Sequence, residues 1–238
     1  FQSDKQVLFD TWRAVLAKAG IFKSGDPRKM LQMDPTGQFQ LDLTKSPVEN
    51  ISILKGMPLQ SLNLSRSRVT SLEALRGSKL QVLVLTGSAV TDLSPLRGVP
   101  LQTLVLDHSK VTDLSVLKGM PLQTLSVEGL PVTDLSGLDG LPLKRLNLAG
   151  TRVEDIEVLR GKPLVELDLS GTRVTDLTPL SACPLLETVI IPANARGVEI
   201  LKTLPYLKRI SDRPVRPGRF DDVPAAAEFW RAYKNHPE

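Results

Sequence analysis

Chemistry has few places to happen in this chain of 238 residues. It holds two histidines, His108 and His236, and one cysteine, Cys183. Two imidazoles can hardly build a histidine-based zinc site or a histidine general base with its partners. A single thiol excludes an internal disulfide framework. Cys183, followed by Pro184, reads first as a small buried hydrophobe; the sharper reading is a reactive thiol. His108 reads as a solvated turn residue. The Gly-rich loop, H-R-D loop and D-F-G triplet of a protein kinase do not occur, nor does a G-x-S-x-G elbow or a Walker lysine motif. The sequence therefore assigns no catalytic residue, no cofactor and no metal ion, and the expectation is a chain that is not an enzyme.

The charged residues are ordered by spacing. Asp92, Asp113, Asp134, Asp155 and Asp176 follow one another at one constant interval. Carboxylates stacked about 5 Å apart in water repel by under ~1 kcal/mol per pair. Capping the N–H groups of a short helical turn offsets a similar amount, so a structural ladder is the ordinary reading. A cation-binding ladder is the alternative, although it lacks the varied oxygen ligands that calcium prefers. Lys55, Arg76, Arg97, Lys118 and Arg160 form a second series, interrupted by Asp139. That series is a solvated edge or a surface for a phosphorylated or acidic partner.

The same interval runs through the whole chain. Rows of equal length beginning at Leu59, Leu80, Leu101, Leu122, Leu143 and Leu164 align without a gap. Column four is leucine throughout, from Leu62 to Leu167; column six is leucine except for Val127; column eleven is valine from Val69 to Val174. Columns fourteen and seventeen are also aliphatic, as in Leu93 with Leu96. An earlier row fits from Phe39 through Val48, Ile51 and Leu54. A later one slips by one residue at Leu185-Leu186, and the pattern fades at Leu207 and Ile210. Alternation at columns four and six predicts a strand with one buried face, and the later columns bring the chain back around an aliphatic interior. One such coil cannot bury its own leucines, whereas stacked coils can. The period of about 21 residues lies at the short end of the roughly 20–29 of leucine-rich repeats, which leaves no room for a long convex helix. The expected fold is an α/β repeat: a right-handed leucine-rich-repeat solenoid of about eight coils with a parallel concave sheet and short 3₁₀ turns on the convex side.

Helical caps are expected at both ends, because terminal coils expose apolar side chains and sheet edges. Residues 4–19 read as an amphipathic helix with Leu8, Trp12, Val15 and Ala19 on one face and Gly20 as its stop. Asp34-Pro-Thr-Gly37 reads as a hairpin turn between 29–33 and 38–43. Asp222-Val-Pro-Ala opens a C-terminal helix carrying Phe229, Trp230 and Tyr233, a cap first and a partner-docking helix second. The organisation is then an N-terminal cap over 1–37, the solenoid over 38–211 and a C-terminal cap over 212–238. Composition agrees with a soluble fold: 41% hydrophobic, 24% charged, and only 4% aromatic, so the core must be aliphatic. A net charge of +4 is too mild for a nucleic-acid partner. No apolar run approaches the ~18 residues that suggest a membrane span, and no signal peptide is visible. A chain opening on Phe1 is expected to be part of a longer polypeptide. Its compartment is not fixed by these features.

The row L-x-x-L-x-L-x-x-S/T-x-V-T-D-L-S-P-L-x-G-x-P resembles the short repeats of bacterial internalin-like proteins. It also resembles the repeat region that follows the kinase domain in a group of bacterial serine/threonine protein kinases. Val90-Thr-Asp-Leu-Ser-Pro-Leu96, Leu117-Lys-Gly-Met-Pro-Leu122 and Ala226-Ala-Glu-Phe-Trp-Arg-Ala-Tyr233 carry that likeness, which covers about residues 38–238. It implies a binding or sensing module of a larger signalling protein. One departure concerns column nine, where the family places Asn to satisfy backbone groups inside the bend. Here Ser67, Ser88, Ser109, Leu130, Thr151 and Thr172 stand there. The hydroxyls are expected to do that work, and a local irregularity is expected at Leu130.

Columns three and five point out of the strands onto the concave face. They carry Ser61 and Asn63, then Val82 and Val84, Thr103 and Val105, Thr124 and Ser126, Arg145 and Asn147, Glu166 and Asp168. Singly exposed apolar residues mean little, but contiguous valines without an internal partner suggest docking; the strand propensity of valine is the plain alternative. The expected function is non-catalytic binding of a protein or peptide on this face, by a monomer that neither contacts nucleic acid nor inserts into a membrane. Val82, Val84, Thr103, Val105 and Thr124 form the floor, and Arg145, Asn147, Glu166 and Asp168 set orientation. Asp107 and Glu128 line the strand ends. The alternative is a structural spacer without a specific ligand.

Overall fold

A computed structural model describes residues 2–215 and 220–233. His236 and the rest of the tail after Tyr233 lie outside the described residues, as do residues 216–219. The chain forms two compact units, one of Phe1–Thr112 with Met120–Leu122 and one of Asp113–Gly119 with Gln123–Glu238.

The first unit opens on helix α1 (Gln2–Lys18), followed by a short helix α2 (Pro27–Met30) that the Asp26 carboxylate caps through the Arg28 N–H. Strands β1 (Leu31–Met33) and β2 (Phe39–Asp42) pair antiparallel across the Asp34–Gly37 turn, as the hairpin reading expects. Asp34 holds that turn by accepting from the N–H groups of Thr36 and Gln38. Strands β3 (Leu59–Asn63), β4 (Val82–Val84) and β5 (Thr103–Val105) then add in parallel. Leu62, Leu83 and Leu104 face one another in register and are fully buried. The return legs hold only short 3₁₀ turns, Ser52–Leu54, Glu73–Leu75 and Ser94–Leu96.

Helix α1 packs on the first coil with a face shifted from the one its pattern suggests: Trp12 and Val15 are half-buried. Phe9 stacks on Phe39 with ring centroids 6.1 Å apart, and Leu16 is fully buried. Leu8 and Ala19, expected on the packed face, are exposed. The Phe9–Phe39 contact places Phe9 on the packed side, and Leu8 next to it in sequence turns outward.

The second unit repeats the plan with β6 (Thr124–Ser126), β7 (Arg145–Asn147), β8 (Glu166–Asp168), β9 (Thr188–Ile190) and β10 (Arg209–Ser211), parallel within the unit. Leu146 lies opposite Leu167 between β7 and β8, and Leu167 opposite Val189 between β8 and β9. The second step is longer by one position, which accommodates the slip at Leu185-Leu186. β10 adds a strand where the sequence pattern fades, so the described parallel strands exceed the expected coil count by one. Helix α3 (Ala226–Tyr233) closes this end. Phe229 is buried, the Trp230 ring stands edge-on to it at 5.0 Å, and the Lys202 ammonium lies 4.7 Å from the Trp230 centroid. These contacts make α3 a cap.

The bend after each strand keeps one backbone bond whatever residue stands at column nine. The N–H at column nine donates to the carbonyl three positions earlier: Ser67 to Leu64, Ser88 to Leu85, Leu130 to Val127, Thr151 to Leu148. The irregularity expected at Leu130 is absent; its side chain is simply buried. The hydroxyls do not share one task either. Those of Thr151 and Thr172 donate to the Leu148 and Leu169 carbonyls, whereas those of Ser67 and Ser88 are buried without a partner. Column eight carries the strain of the bend. Lys45, Arg66 and His108 have φ of 57°, 55° and 54°, where other coils place Gly87, Gly129, Gly150 and Gly171. His108 is thus an exposed turn residue, as expected.

The aspartate ladder opens the 3₁₀ turns. Asp92, Asp113, Asp134, Asp155 and Asp176 each accept from the N–H two positions on, at 2.7–2.8 Å. Those backbone bonds, from Ser94, Ser115 and Ser136, hold the carboxyls of Asp92, Asp113 and Asp134 below their ordinary value of 3.8.

Leu85→Ala should cost about 2–5 kcal/mol, as buried leucine truncations do, while Val84→Ala beside it should cost well under half as much; equal losses in urea melts would mean the strand parity is inverted. Lys45→Gly should raise stability by up to about 1 kcal/mol, because a left-handed L-residue costs roughly 1–2 kcal/mol and glycine returns about 0.5–1 of that in chain entropy; an unchanged or lower urea midpoint would contradict it. A lowered carboxyl pKa contributes stability that is fully present above pH 3.8 and is lost as pH falls through the folded-state value. Thermal melts below about pH 4 should therefore show a steeper decline for wild type than for the triple variant Asp92→Asn, Asp113→Asn, Asp134→Asn, whose amides keep the turn bond without titrating.

Candidate functional site

In the first unit the strand register builds a small apolar block. Val82 lies beside Thr103, and Val84 beside Val105, on neighbouring strands about 4.8 Å apart. All four are half-buried and face out of the sheet. Column five explains why the valines stand apart. Asp42 and Asn63 use their side-chain oxygens to accept the N–H two positions on, from Thr44 and Ser65, at 2.8 and 3.0 Å. In the second unit Asn147 and Asp168 do the same for Ala149 and Ser170. A polar residue at column five thus has a task inside its own coil, and Val84 and Val105 have given that task up. Asp107 is half-buried at the strand end, and its carbonyl accepts the Gly87 N–H at 2.7 Å.

Beside this block lies a feature the sequence did not announce. A cleft of about 270 Å³ opens over β1–β4, with Gln32, Gln40, Ser61 and Asn63 beneath, Val84 at one end, and Lys29 with Met30 of α2 lining it too. Helix α2 is a single turn without apolar periodicity, so only the Asp26-Pro27 pair, a capping residue before a proline, marked it in advance.

The second unit presents a more polar face. Arg145 and Glu166 meet across β7 and β8, Nε to Oε2 at 2.8 Å. Their charges serve each other first, and an exposed pair of this kind contributes about 0.2–1 kcal/mol. Glu128 accepts from the Asn147 amide at 3.1 Å, and Thr124 is half-buried. Asn147 and Asp168, expected to meet a partner, are buried and use their side-chain oxygens within their own coils. Burial pushes the Asp168 carboxyl up from its ordinary value, against the two hydrogen bonds from Ser170. On β9, Thr188 and Ile190 occupy outward positions yet are buried, Ile190 completely. The open part of this face therefore includes Thr124, Ser126, Glu128, Arg145 and Glu166.

The remaining singled-out residues have structural surroundings. Cys183 is buried, its thiol donates to the Leu159 carbonyl at 3.2 Å, and burial raises its pKa, the opposite of what a reactive thiolate needs. In the basic series, Arg76 and Arg160 pair with Glu73 and Glu157 one turn earlier, and Lys118 lies 3.7 Å from Asp139. Among the described residues no three His, Cys, Asp or Glu side chains are grouped to hold a metal ion, and no helix is long and apolar enough to cross a membrane. Lys162 escaped the sequence reading: it is buried, and its ammonium donates to the Leu138 and Leu141 carbonyls at 2.8 and 3.3 Å.

No protein-family model matches the chain, and no curated protein does. Solved structures do. Internalin C2 of Listeria monocytogenes is 31% identical, with a TM-score of 0.59, over 61% of this chain and 67% of that one. Internalin F of the same organism has a TM-score of 0.64 over 74% of this chain; at 22% identity it speaks for the fold alone, and the match spans 55% of its length. With the register of leucine columns, the 3₁₀ return legs and this likeness together, the chain belongs to the leucine-rich-repeat proteins and is built from short repeats of the internalin type.

Proposed function

We propose that the chain is a non-catalytic module that binds a protein or peptide, and that in its first unit the docking surface is the outward sheet face floored by Val82, Val84, Thr103 and Val105. The observation that carries this reading is the loss of the column-five turn bond at Val84 and Val105. Each position exchanges a side chain with a local structural task for an apolar one with none, and the two lie side by side on adjoining strands. The neighbouring cleft under α2 extends the surface with amide and hydroxyl groups, so a partner meets an apolar floor with polar hydrogen-bonding groups at its edge, the usual anatomy of an interface. Such a surface is pre-formed, and little ordering entropy is lost on binding. In the second unit, Arg145, Glu166, Glu128 and Thr124 offer charge that governs partner choice and on-rate more than affinity. Asp107 borders the first surface at the strand end. We place the module, as a monomeric segment, within a larger signalling polypeptide such as a serine/threonine kinase; support for that placement is the resemblance of its repeats and of the Ala226–Tyr233 segment.

The test uses affinity capture from the source cell with wild type and a Val84→Lys, Val105→Glu variant. Opposite charges at paired positions avoid cross-strand repulsion, and an unchanged melting temperature verifies folding. Loss of the captured partners is the expected result. The same partners at the same strength would refute the surface and leave the chain as a structural spacer.

A further inference from the structure

The end of each return leg follows its own rule. Columns twenty and twenty-one read Met57-Pro58, Val99-Pro100, Met120-Pro121, Leu141-Pro142 and Cys183-Pro184, and the first member is buried each time. In one coil both members change, to Ser78-Lys79. A serine cannot fill the volume that a methionine, valine or leucine fills in the coils around it. A cleft of about 460 Å³ opens beside Ser78 in the first unit, within the roughly 300–1,000 Å³ of small-ligand pockets.

The lining of this cleft is selective. Met57, Pro58 and Leu59 supply an apolar wall, and Lys55, Arg76 and Lys79 supply the charge, without a carboxylate among the lining residues. Arg76 is already neutralised: its Nε and Nη2 donate to both carboxylate oxygens of Glu73 at 3.0 and 2.8 Å. Lys55 and Lys79 are exposed and make no ion pair among the described residues. Their two charges are uncompensated. The Ser78 hydroxyl oxygen is buried and has no hydrogen-bond partner in the protein. A buried polar group without a partner is costly; Ser67 and Ser88 share that condition inside their bends, but Ser78 lies where the repeat would place an apolar side chain.

We propose that this cleft binds a phosphate monoester dianion. The phosphoryl oxygens take the ammonium groups of Lys55 and Lys79, the small Ser78 side chain leaves room beside them, and the organic part of the ester packs against Met57 and Pro58. Charge selects the class: a monoester carries about −1.5 to −2 near neutral pH, which matches two free ammonium groups, whereas a single carboxylate leaves one of them uncompensated. This site is separate from the outward sheet face, so its fate and that of the proposed docking surface are independent.

Two sources share this chemistry, a free small phosphate ester and a phosphorylated side chain on a partner. Calorimetric titration of the full chain at low ionic strength, where screening is weak, would use three probes: free O-phosphoserine, a glycine-flanked phosphoserine peptide, and serine. At least one phosphorylated probe is expected to bind and serine is not. Tighter binding of the free amino acid assigns a small phosphate ester, and tighter binding of the peptide assigns a phosphorylated partner. Lys55→Gln with Lys79→Gln should weaken binding by roughly tenfold or more. Ser78→Met, which restores the bulk that Met57 and Met120 carry at this column, should weaken binding without lowering the melting temperature. Failure of both phosphorylated probes to bind, or wild-type affinity in the double-lysine variant, would overturn the proposal.

Discussion

The constraint that governs this protein is that a coil cannot satisfy itself. Leu62 and Leu64 point into an interior that their own coil is too short to enclose, and the short strands have no partner within that coil. The next coil supplies both needs at once. The Leu64 N–H donates to the Val84 carbonyl, and the Leu85 N–H to that of Val105, while Leu62 and Leu83 share the interior. This double dependence fixes the period, since a shifted coil would misplace side chains and backbone bonds together. It also accounts for the left-handed residues at column eight. The N–H groups of Lys45, Arg66 and Gly87 must reach the carbonyls of Ser65, Thr86 and Asp107 in the following coil. Their φ of 57°, 55° and 63° aims them there. Glycine is the comfortable solution; Lys45 and Arg66 accept the strain because the bond is worth more than the torsion.

A fold satisfied by stacking needs its two faces to do different things. The inward columns are locked, because every leucine there completes two neighbours. The outward columns complete nothing, and the sequence is free to choose. At column five it has chosen local stability in some coils, where Asp42, Asn63, Asn147 and Asp168 close a turn over their own strand end. It has chosen an apolar surface at Val84 and Val105. Strand propensity accounts for valine in a strand, but it does not account for forfeiting a hydrogen bond that the same position makes elsewhere.

How much of this was legible in the sequence follows from what repeats. The strand columns, the 3₁₀ return legs, the Asp34–Gly37 hairpin and the helices at both ends are recurrent patterns or local turn chemistry, and each stood in the sequence by period or by residue type. What failed to show depends on contacts between segments that do not repeat. The packed side of α1 takes in Phe9, against Phe39 across the hairpin, and Leu16, so the spacing that joined Leu8, Trp12, Val15 and Ala19 located the face only in part: Trp12 and Val15 are half-buried, and Leu8 and Ala19 are exposed. The wall that Lys29 and Met30 of α2 lend to the first cleft has no periodic signal. Burial of Ile190 at an outward position breaks the parity that located Val84. The expected disturbance at Leu130 rested on assigning the bend to side chains, whereas backbone bonds to Val127 and its equivalents hold it regardless of the residue.

Column twenty shows how such a register separates structure from function. Two coils place a polar group there, with opposite outcomes. Lys162 has the reach to carry its ammonium back to the Leu138 and Leu141 carbonyls of the preceding coil, at the C-terminal end of a 3₁₀ turn. A cation at that end complements the free carbonyls. Burial lowers the pKa of Lys162, yet its charge is met by acceptors of the protein itself, and its aliphatic stem replaces the apolar side chain that the column usually holds. Ser78 has neither reach nor stem. It leaves its hydroxyl without a partner and its share of the volume empty, and the lysine at position 79 replaces a proline that every other return leg from Met57 onward retains. A substitution that the fold repairs from within is a variation on the repeat. One that removes packing, strands a polar atom and adds a free charge in the same two residues gives the fold nothing in return, and its explanation has to be sought in what binds there.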